Sequence, residues 1–168
     1  MIKEQPELDI VLHFLKSINI QVIEKELTEP TFLPGLLLGP DVIYIDYSRL
    51  LYAGDILHEA GHIAVTLPSC RKLIGTDKMN LDWPTQGDEI AAILWSFAAL
   101  SHLGLSPEFV FHKNGYKGNS QWFIENFTNK NFIGLPLLQW FKMASRDEEI
   151  SKYGSAPFPT MLHWLRPE

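Results

Sequence analysis

Apolar and polar residues recur along this chain with two different periods. From Pro6, the positions Leu8, Val11, Leu12 and Leu15 fall at three-and-four spacing, which predicts an amphipathic helix ending near Ser17. "INIQVIEKEL", residues 18–27, then alternates apolar and polar side chains, the period of a strand. Leu36 to Leu38 and Val42 to Ile45 are short apolar runs separated by Gly39-Pro40-Asp41, a turn-forming triplet, so they predict a β-hairpin. From Ser48 to Leu67 the period becomes helical, with Asp46 or Ser48 as N-cap and Pro68 as the stop. A polar, turn-rich connection leads to a second helix over about Asp88 to Leu103, closed by Gly104. That helix is apolar almost all round and is therefore expected at the centre of the molecule.

The last third is less regular. Ser106-Pro107-Glu108 reads as a helix start, residues 112–120 as a loop, and "SQWFIENF" and "PLLQWFKMA" as short helices. The Pro-rich end, "SAPFPTMLHWLRP", carries large apolar side chains, and Trp140, Phe141, Phe158, Trp164 and Leu165 are expected to pack back onto the body. The whole reads as an α+β chain: an N-terminal helix, a short antiparallel sheet, a central pair of helices and a mostly helical C-terminal extension.

Composition narrows this picture. With 168 residues, 46% of them apolar, the chain suits one domain, with a core over about 1–105 and an extension over about 106–168. The net charge is −6 and the Lys and Arg residues are scattered, so a phosphate backbone is not an expected direct ligand. One cysteine, Cys70, rules out an internal disulfide framework, and the first residues carry no secretory pattern; the expected setting is the reducing cytoplasm. The apolar run "AAILWSFAAL" is stopped by Ser101, His102 and Gly104, short of the roughly 18–20 residues that span a bilayer, so no membrane association is expected.

The candidate chemistry lies in "GDILHEAGHIAV", on the first of the two central helices. His58 and His62, four residues apart, are about 40° apart around a helix axis, so both imidazoles leave one face and can reach one metal ion. Glu59 is about 60° from His62, beside such an ion rather than on it, where a general base takes a proton from an activated water. Randomly ordered, a chain with these residues would contain H-E-x-x-H about once in 80 arrangements. The surrounding Ala60, Gly61, Ala64 and Val65 tip the balance, because a merely solvated polar face has no need of small and apolar neighbours.

A catalytic zinc ion takes three protein ligands and keeps one position open. A third histidine at the next turn is excluded, because Val65 and Pro68 stand where the extended motif needs Gly and His. Glu89 lies on the second helix, on a face with Ile93, Ser96, Leu100 and Leu103, and a carboxylate on so apolar a stripe calls for a counter-charge. The small Ala91, Ala92, Ala98 and Ala99 would allow that helix to approach the Ala60/Gly61/Ala64 surface closely. Asp88 is the alternative ligand but is better placed to cap the helix; Asp77 and Asp82 precede it in the connection. His102 is turned about 220° from Glu89 and is not expected at the same ion. Asp55, three residues before His58, could orient a ligand or be a solvated first-turn acid.

A helix with H-E-x-x-H followed by a second with Glu leading into "EIAAILWSFAAL" resembles the gluzincin group of zinc metallopeptidases. Within it the chain is most similar to the ImmA/IrrE-type metallopeptidases. The likeness runs over about 42–105, and it departs from the pattern in having Ile90-Ala91 after the ligand Glu, no Leu-Leu-Met-Pro after the second helix and no helix-turn-helix module. It implies a small zincin-like core, one Zn2+ on His58, His62 and Glu89, Glu59 as catalytic base, and a peptide or protein substrate. It also implies a strand, "VIYID", near the sheet edge, to which an extended peptide could add. Sites of this type add a Tyr, His or Arg to stabilise the oxyanion, for which His112, Tyr116 and His163 are the candidates. The competing expectation is a catalytically silent metal-binding regulatory or scaffold protein on the same fold. No oligomeric state is implied.

Overall fold

The computed structural model describes residues 5–168. The first helix, α1 (Pro6–Ser17), has the expected boundaries and buries Leu8, Val11, Phe14 and Leu15. Three four-residue strands follow: β1 (Gln21–Glu24), β2 (Leu36–Gly39) and β3 (Val42–Ile45). The predicted hairpin forms, with Leu36 opposite Ile45 and Gly39 opposite Val42, and Asp41 takes a left-handed φ of 55° in its turn. β1 is shorter than its alternating pattern because β3 offers only four residues to pair with. It joins β3 in parallel, so the sheet is mixed rather than wholly antiparallel, in the order β1-β3-β2. "VIYID" is therefore the central strand, and β2 rather than β3 is the outer strand of the hairpin.

The motif helix α2 spans Asp55–Val65, seven residues later in its start than the helical period implied. Asp46 is responsible. Its carboxylate accepts from the backbone N–H of Leu27 and of Ser48, both at 3.0 Å, and from the Ser48 hydroxyl at 2.6 Å. An acid used in this way closes a local turn after β3 and ties it to the segment after β1, instead of capping a helix. A short helix, α3 (Pro68–Arg71), opens the connection to α4 (Gln86–Leu103). Thr85 caps α4 and Gly104, at φ 66°, ends it as its position suggested.

α2 and α4 cross backbone to backbone in the core. At Gly61 a Cβ would lie 2.7 Å from the carbonyl oxygen of Ala92 and 3.1 Å from its Cα, so two helix backbones meet with no side chain between them. Ala91, Ala92, Ala98 and Ala99 are fully buried around this contact.

The C-terminal part consists of α5 (Ser120–Thr128), α6 (Leu135–Trp140) and α7 (Asp147–Tyr153), with a 3-10 turn at Pro107–Phe109. Its Phe111, Phe127, Leu138, Met143 and Phe158 belong to the same hydrophobic core as α1, α2 and α4. The start of α2 is pressed against it, since a Cβ on Gly54 would fall 1.7 Å from the Phe109 carbonyl oxygen. The tail folds back as expected: Trp164 packs edge-on to Phe14 at 4.9 Å and to Trp95 at 5.8 Å. Trp140 is the exception, 74% exposed on the outer side of α6 while Leu138 faces in.

The tail also finishes α2. The Arg166 N–H donates to Ala64 O at 2.8 Å, its guanidinium to Val65 O at 3.2 Å, and Arg71 donates to Thr66 O and Arg166 O. The carbonyls that a helix C-terminus leaves unpaired thus meet two cations, the favourable sign for that end of the dipole. No helix among the described residues is long and apolar enough to cross a membrane.

The helix crossing sets one expectation. Gly61→Ala forces two backbones apart and should cost about 1–3 kcal/mol of stability, read as a lowered melting temperature. An unchanged melting temperature would mean that the crossing has slack the geometry does not suggest.

Candidate metal centre

α2 presents His58 and His62 one turn apart towards the first turn of α4, and Glu89 meets them there. The three side chains form a group able to hold a metal ion. The His58 and His62 Nε2 atoms are 3.1 Å apart; Glu89 places Oε1 3.4 Å from His58 Nε2 and Oε2 3.1 Å from His62 Nε2. Ligand atoms at about 2.0–2.1 Å around a tetrahedral ion stand about 3.3–3.4 Å from each other. The spacing fits such an ion closely. Two ring nitrogens facing each other and a carboxylate are donors of electron pairs, and one cation satisfies all three.

Asp88 does not join them. Its carboxylate accepts from the Thr85 N–H at 2.9 Å and the Thr85 hydroxyl at 2.7 Å, while its own N–H bonds back to that hydroxyl, a reciprocal cap. Asp77 and Asp82 are exposed in the connection, and His102 packs against Phe14 and Trp164 at a distance from the triad.

Charge is crowded here. Burial, reinforced by His62 and opposed by Glu89, pulls the His58 imidazole down to about 4, so it is neutral near pH 7. Burial pulls on His62 as well, but the hydrogen bond to Glu89 and the charges of Glu59, Glu89 and Asp88 outweigh it and leave this imidazole above its ordinary value. Glu89, half exposed, is pushed up by burial yet held low overall by the His62 hydrogen bond and by the charges of His58, His62 and Lys117. Glu59 is pushed up to about 7 by burial, with His62 acting against this and Glu89 and Asp55 adding to it.

A cleft of about 320 Å³ opens over the triad, lined by His58, Glu59, His62 and Glu89 on one side and by Phe32, Leu38, Trp83 and Pro84 on the other. Trp83 is fixed above His62 by its indole N–H, which donates to Thr66 Oγ1 at 3.0 Å; Thr66 in turn donates to the His62 carbonyl at 2.7 Å. A larger open hollow of about 650 Å³ between α1 and β1 carries one amine, Lys16, and neither an imidazole nor a carboxylate.

None of the three oxyanion candidates, His112, Tyr116 and His163, is among the residues lining the cleft over the triad. Tyr116 lies behind His58, its hydroxyl 3.3 Å from Nδ1, the ring nitrogen turned away from the triad. His112 spends its Nε2 on Asp55 Oδ1 at 2.9 Å and stacks on Tyr52 with ring centres 3.7 Å apart. Asp55 thus serves His112 and not a ligand histidine. His163 is exposed in the tail, where its backbone N–H reaches Met143 O and its neighbour Trp164 packs on Trp95, a different face of α4.

No protein-family model, curated protein or solved structure matches this chain.

Several residues of the site carry no motif. Phe32, Leu38, Trp83 and Pro84 come from three separate segments, and only the chain fold gathers them into one wall. Lys117, whose charge bears on Glu89, lies 28 positions further along in a loop with no spacing signal.

The geometry separates the two acids of α4 by experiment. Glu89→Ala should lose metal, measured by elemental analysis after exposure to one equivalent of zinc, as should His58→Ala. Asp88→Ala should keep the metal and instead lose about 0.5–2 kcal/mol of stability as an N-cap. Metal retained by Glu89→Ala and lost by Asp88→Ala would reverse the assignment.

Proposed function

We propose that this protein is a zinc-dependent metallopeptidase that hydrolyses peptide bonds, with Glu59 as general base. The observation that carries the reading is a half-buried carboxyl, Glu59, lining the same cleft as the converging His58, His62 and Glu89. Two imidazoles and one carboxylate are a donor set suited to zinc, and three protein ligands leave a fourth position for chemistry. Bound there, zinc would acidify water and polarise the scissile carbonyl.

The chain's own groups supply the rest. Glu59 removes a proton from the attacking water and returns it to the departing amine as the C–N bond breaks. Its raised proton affinity suits both halves of that task near neutral pH, and a neighbouring cation shifts it downward. His58 and His62 stay on one side of the cleft while Trp83, Phe32, Leu38 and Pro84 line the other, an apolar surface for a substrate side chain. An extended peptide would run along β2, whose Leu38 lines the cleft, rather than along the enclosed β3. Part of that edge is already covered, since a Cβ on Gly75 would lie 2.6 Å from the Leu38 carbonyl oxygen. A reducing compartment such as the cytoplasm suits the single thiol of Cys70.

A structural metal site has no use for a half-buried acid beside an open coordination position, which favours chemistry over a silent scaffold. Glu59→Gln should retain a full equivalent of zinc and lose at least about 100-fold in hydrolysis, measured on a proteome-derived peptide library. Zinc binding by both proteins with no cleavage by either would transfer the conclusion to the regulatory, non-catalytic reading.

A further inference from the structure

We infer that Phe32 and Trp83 are specificity-determining residues of the cleft: with Leu38 and Pro84 they take one large apolar side chain, aromatic or long aliphatic, of an extended peptide, next to its scissile bond. The inference rests on the metallopeptidase reading above and adds the class of peptide that the site selects.

Exposure is the first observation. Phe32 lines the cleft that holds His58, Glu59, His62 and Glu89, yet its side chain is 94% exposed. Leu81, two positions before Trp83, is 99% exposed, so both chain segments that supply the apolar side of the cleft also present a bare apolar side chain to solvent. Apolar surface left in water beside a group able to hold a metal ion gains by being covered when a ligand arrives.

Anchoring is the second. Phe32 precedes β2 in a segment closed on itself, with Thr31 Oγ1 donating to Leu33 O at 2.7 Å and the Leu36 N–H to the same carbonyl at 3.1 Å. Arg49 ties that segment to the chain after β3 by donating to Glu29 O at 3.2 Å. Trp83 is fixed from the other direction, since its indole N–H donates to Thr66 Oγ1 at 3.0 Å and Thr66 donates to the His62 carbonyl at 2.7 Å. The indole and the helix that carries both histidines thus share one hydrogen-bonded support. A wall set in advance costs less ordering when it binds.

Size and charge narrow the occupant. At about 320 Å³ the cleft is at the small end of ligand sites, which run from about 300 to 1,000 Å³, so it suits a side chain and its flanking backbone rather than a folded surface. Among the described residues that line it there is no lysine or arginine, so an acidic side chain would lose its hydration without gaining a counter-ion from the wall. A basic side chain would find only Glu59 and Glu89, which the proposed hydrolysis already uses. A ring or a branched aliphatic chain meets an indole and a phenyl instead, both suited to offset or edge-on packing.

The test has a kinetic arm and a binding arm. Zinc-loaded wild type, given a proteome-derived peptide library, should cut beside Phe, Tyr, Leu or Met in preference to Asp, Lys or Gly. For matched peptides with Phe or Ala at that position, Phe32→Ser should lower the Phe-to-Ala ratio of kcat/KM roughly 10-fold, mainly through KM; Phe32 is at the surface, so this variant should fold and keep its zinc. In the binding arm, N-acetyl-phenylalanine amide added to zinc-free protein should shift the indole N–H resonance of Trp83, assigned with Trp83→Phe, and N-acetyl-aspartate amide should not. Equal cleavage beside Phe, Asp and Lys, or an unchanged Phe-to-Ala ratio in Phe32→Ser, would overturn the inference and leave the metallopeptidase reading standing. If wild type cuts no peptide, that reading fails, and the Trp83 resonance still decides whether the cleft takes an apolar side chain: a shift with the phenylalanine amide alone supports it, and no shift overturns it.

Discussion

The contact between Gly61 and Ala92 is the constraint on which the site depends. Histidines on α2 and a carboxylate on α4 converge within hydrogen-bonding distance of each other only when the two helix axes are close. That closeness exists because Gly61 has no Cβ and Ala92 exposes its backbone. Any larger residue at the crossing acts as a spacer, and a shift of one ångström is large against ligand distances that tolerate a few tenths. The alanines on either side carry the same requirement along the length of the interface. Sites on rigid helices hold their geometry better than sites on loops, and here both ligand-bearing elements are helices packed at the centre of the core.

This packing places an unusual electrostatic burden in one spot. Two buried imidazoles, the Glu59 and Glu89 carboxyls and Asp55 lie within about two turns of α2 and its facing surface. Left to itself, such a cluster is reconciled by protons: Glu59 resists ionisation, His58 resists protonation, and His62 and Glu89 share charge. A divalent cation is the alternative solution, replacing several compromised proton equilibria by one set of coordinate bonds. The same crowding that is costly in an apolar interior is what makes this group able to hold a metal ion.

The C-terminal third, which carries no motif, proves inseparable from the site. Phe109 and Val110 seat the start of α2, Tyr116 backs His58, and Arg166 with Arg71 closes the helix end at Ala64, Val65 and Thr66. The motif helix is only 11 residues long, short for a helix that must stand by its own propensity. Its stability comes from contacts at both ends and on every face, and sequence-distant segments make most of them.

What was legible in the chain was what local periodicity controls. The limits of α1, the hairpin at Gly39-Pro40-Asp41, the Gly104 stop of α4 and the shared face of His58 and His62 all follow from residue spacing and backbone preference. Even Glu89 was legible, as a charge stranded on an apolar stripe, with Asp88 in capping position beside it. Hydrogen bonding and packing across long separations decided the rest. Asp46 bonded to Leu27 and delayed α2, β1 joined β3 in parallel and enclosed it, and His112 paired with Asp55 instead of facing the cleft. The phenol of Tyr116 came to rest behind His58 rather than over the cleft. Residue types and their periods determine which groups are available and on which face of which element. Which two groups meet depends on how elements 20 to 100 residues apart are pressed together, and that information resides in no local stretch of the chain.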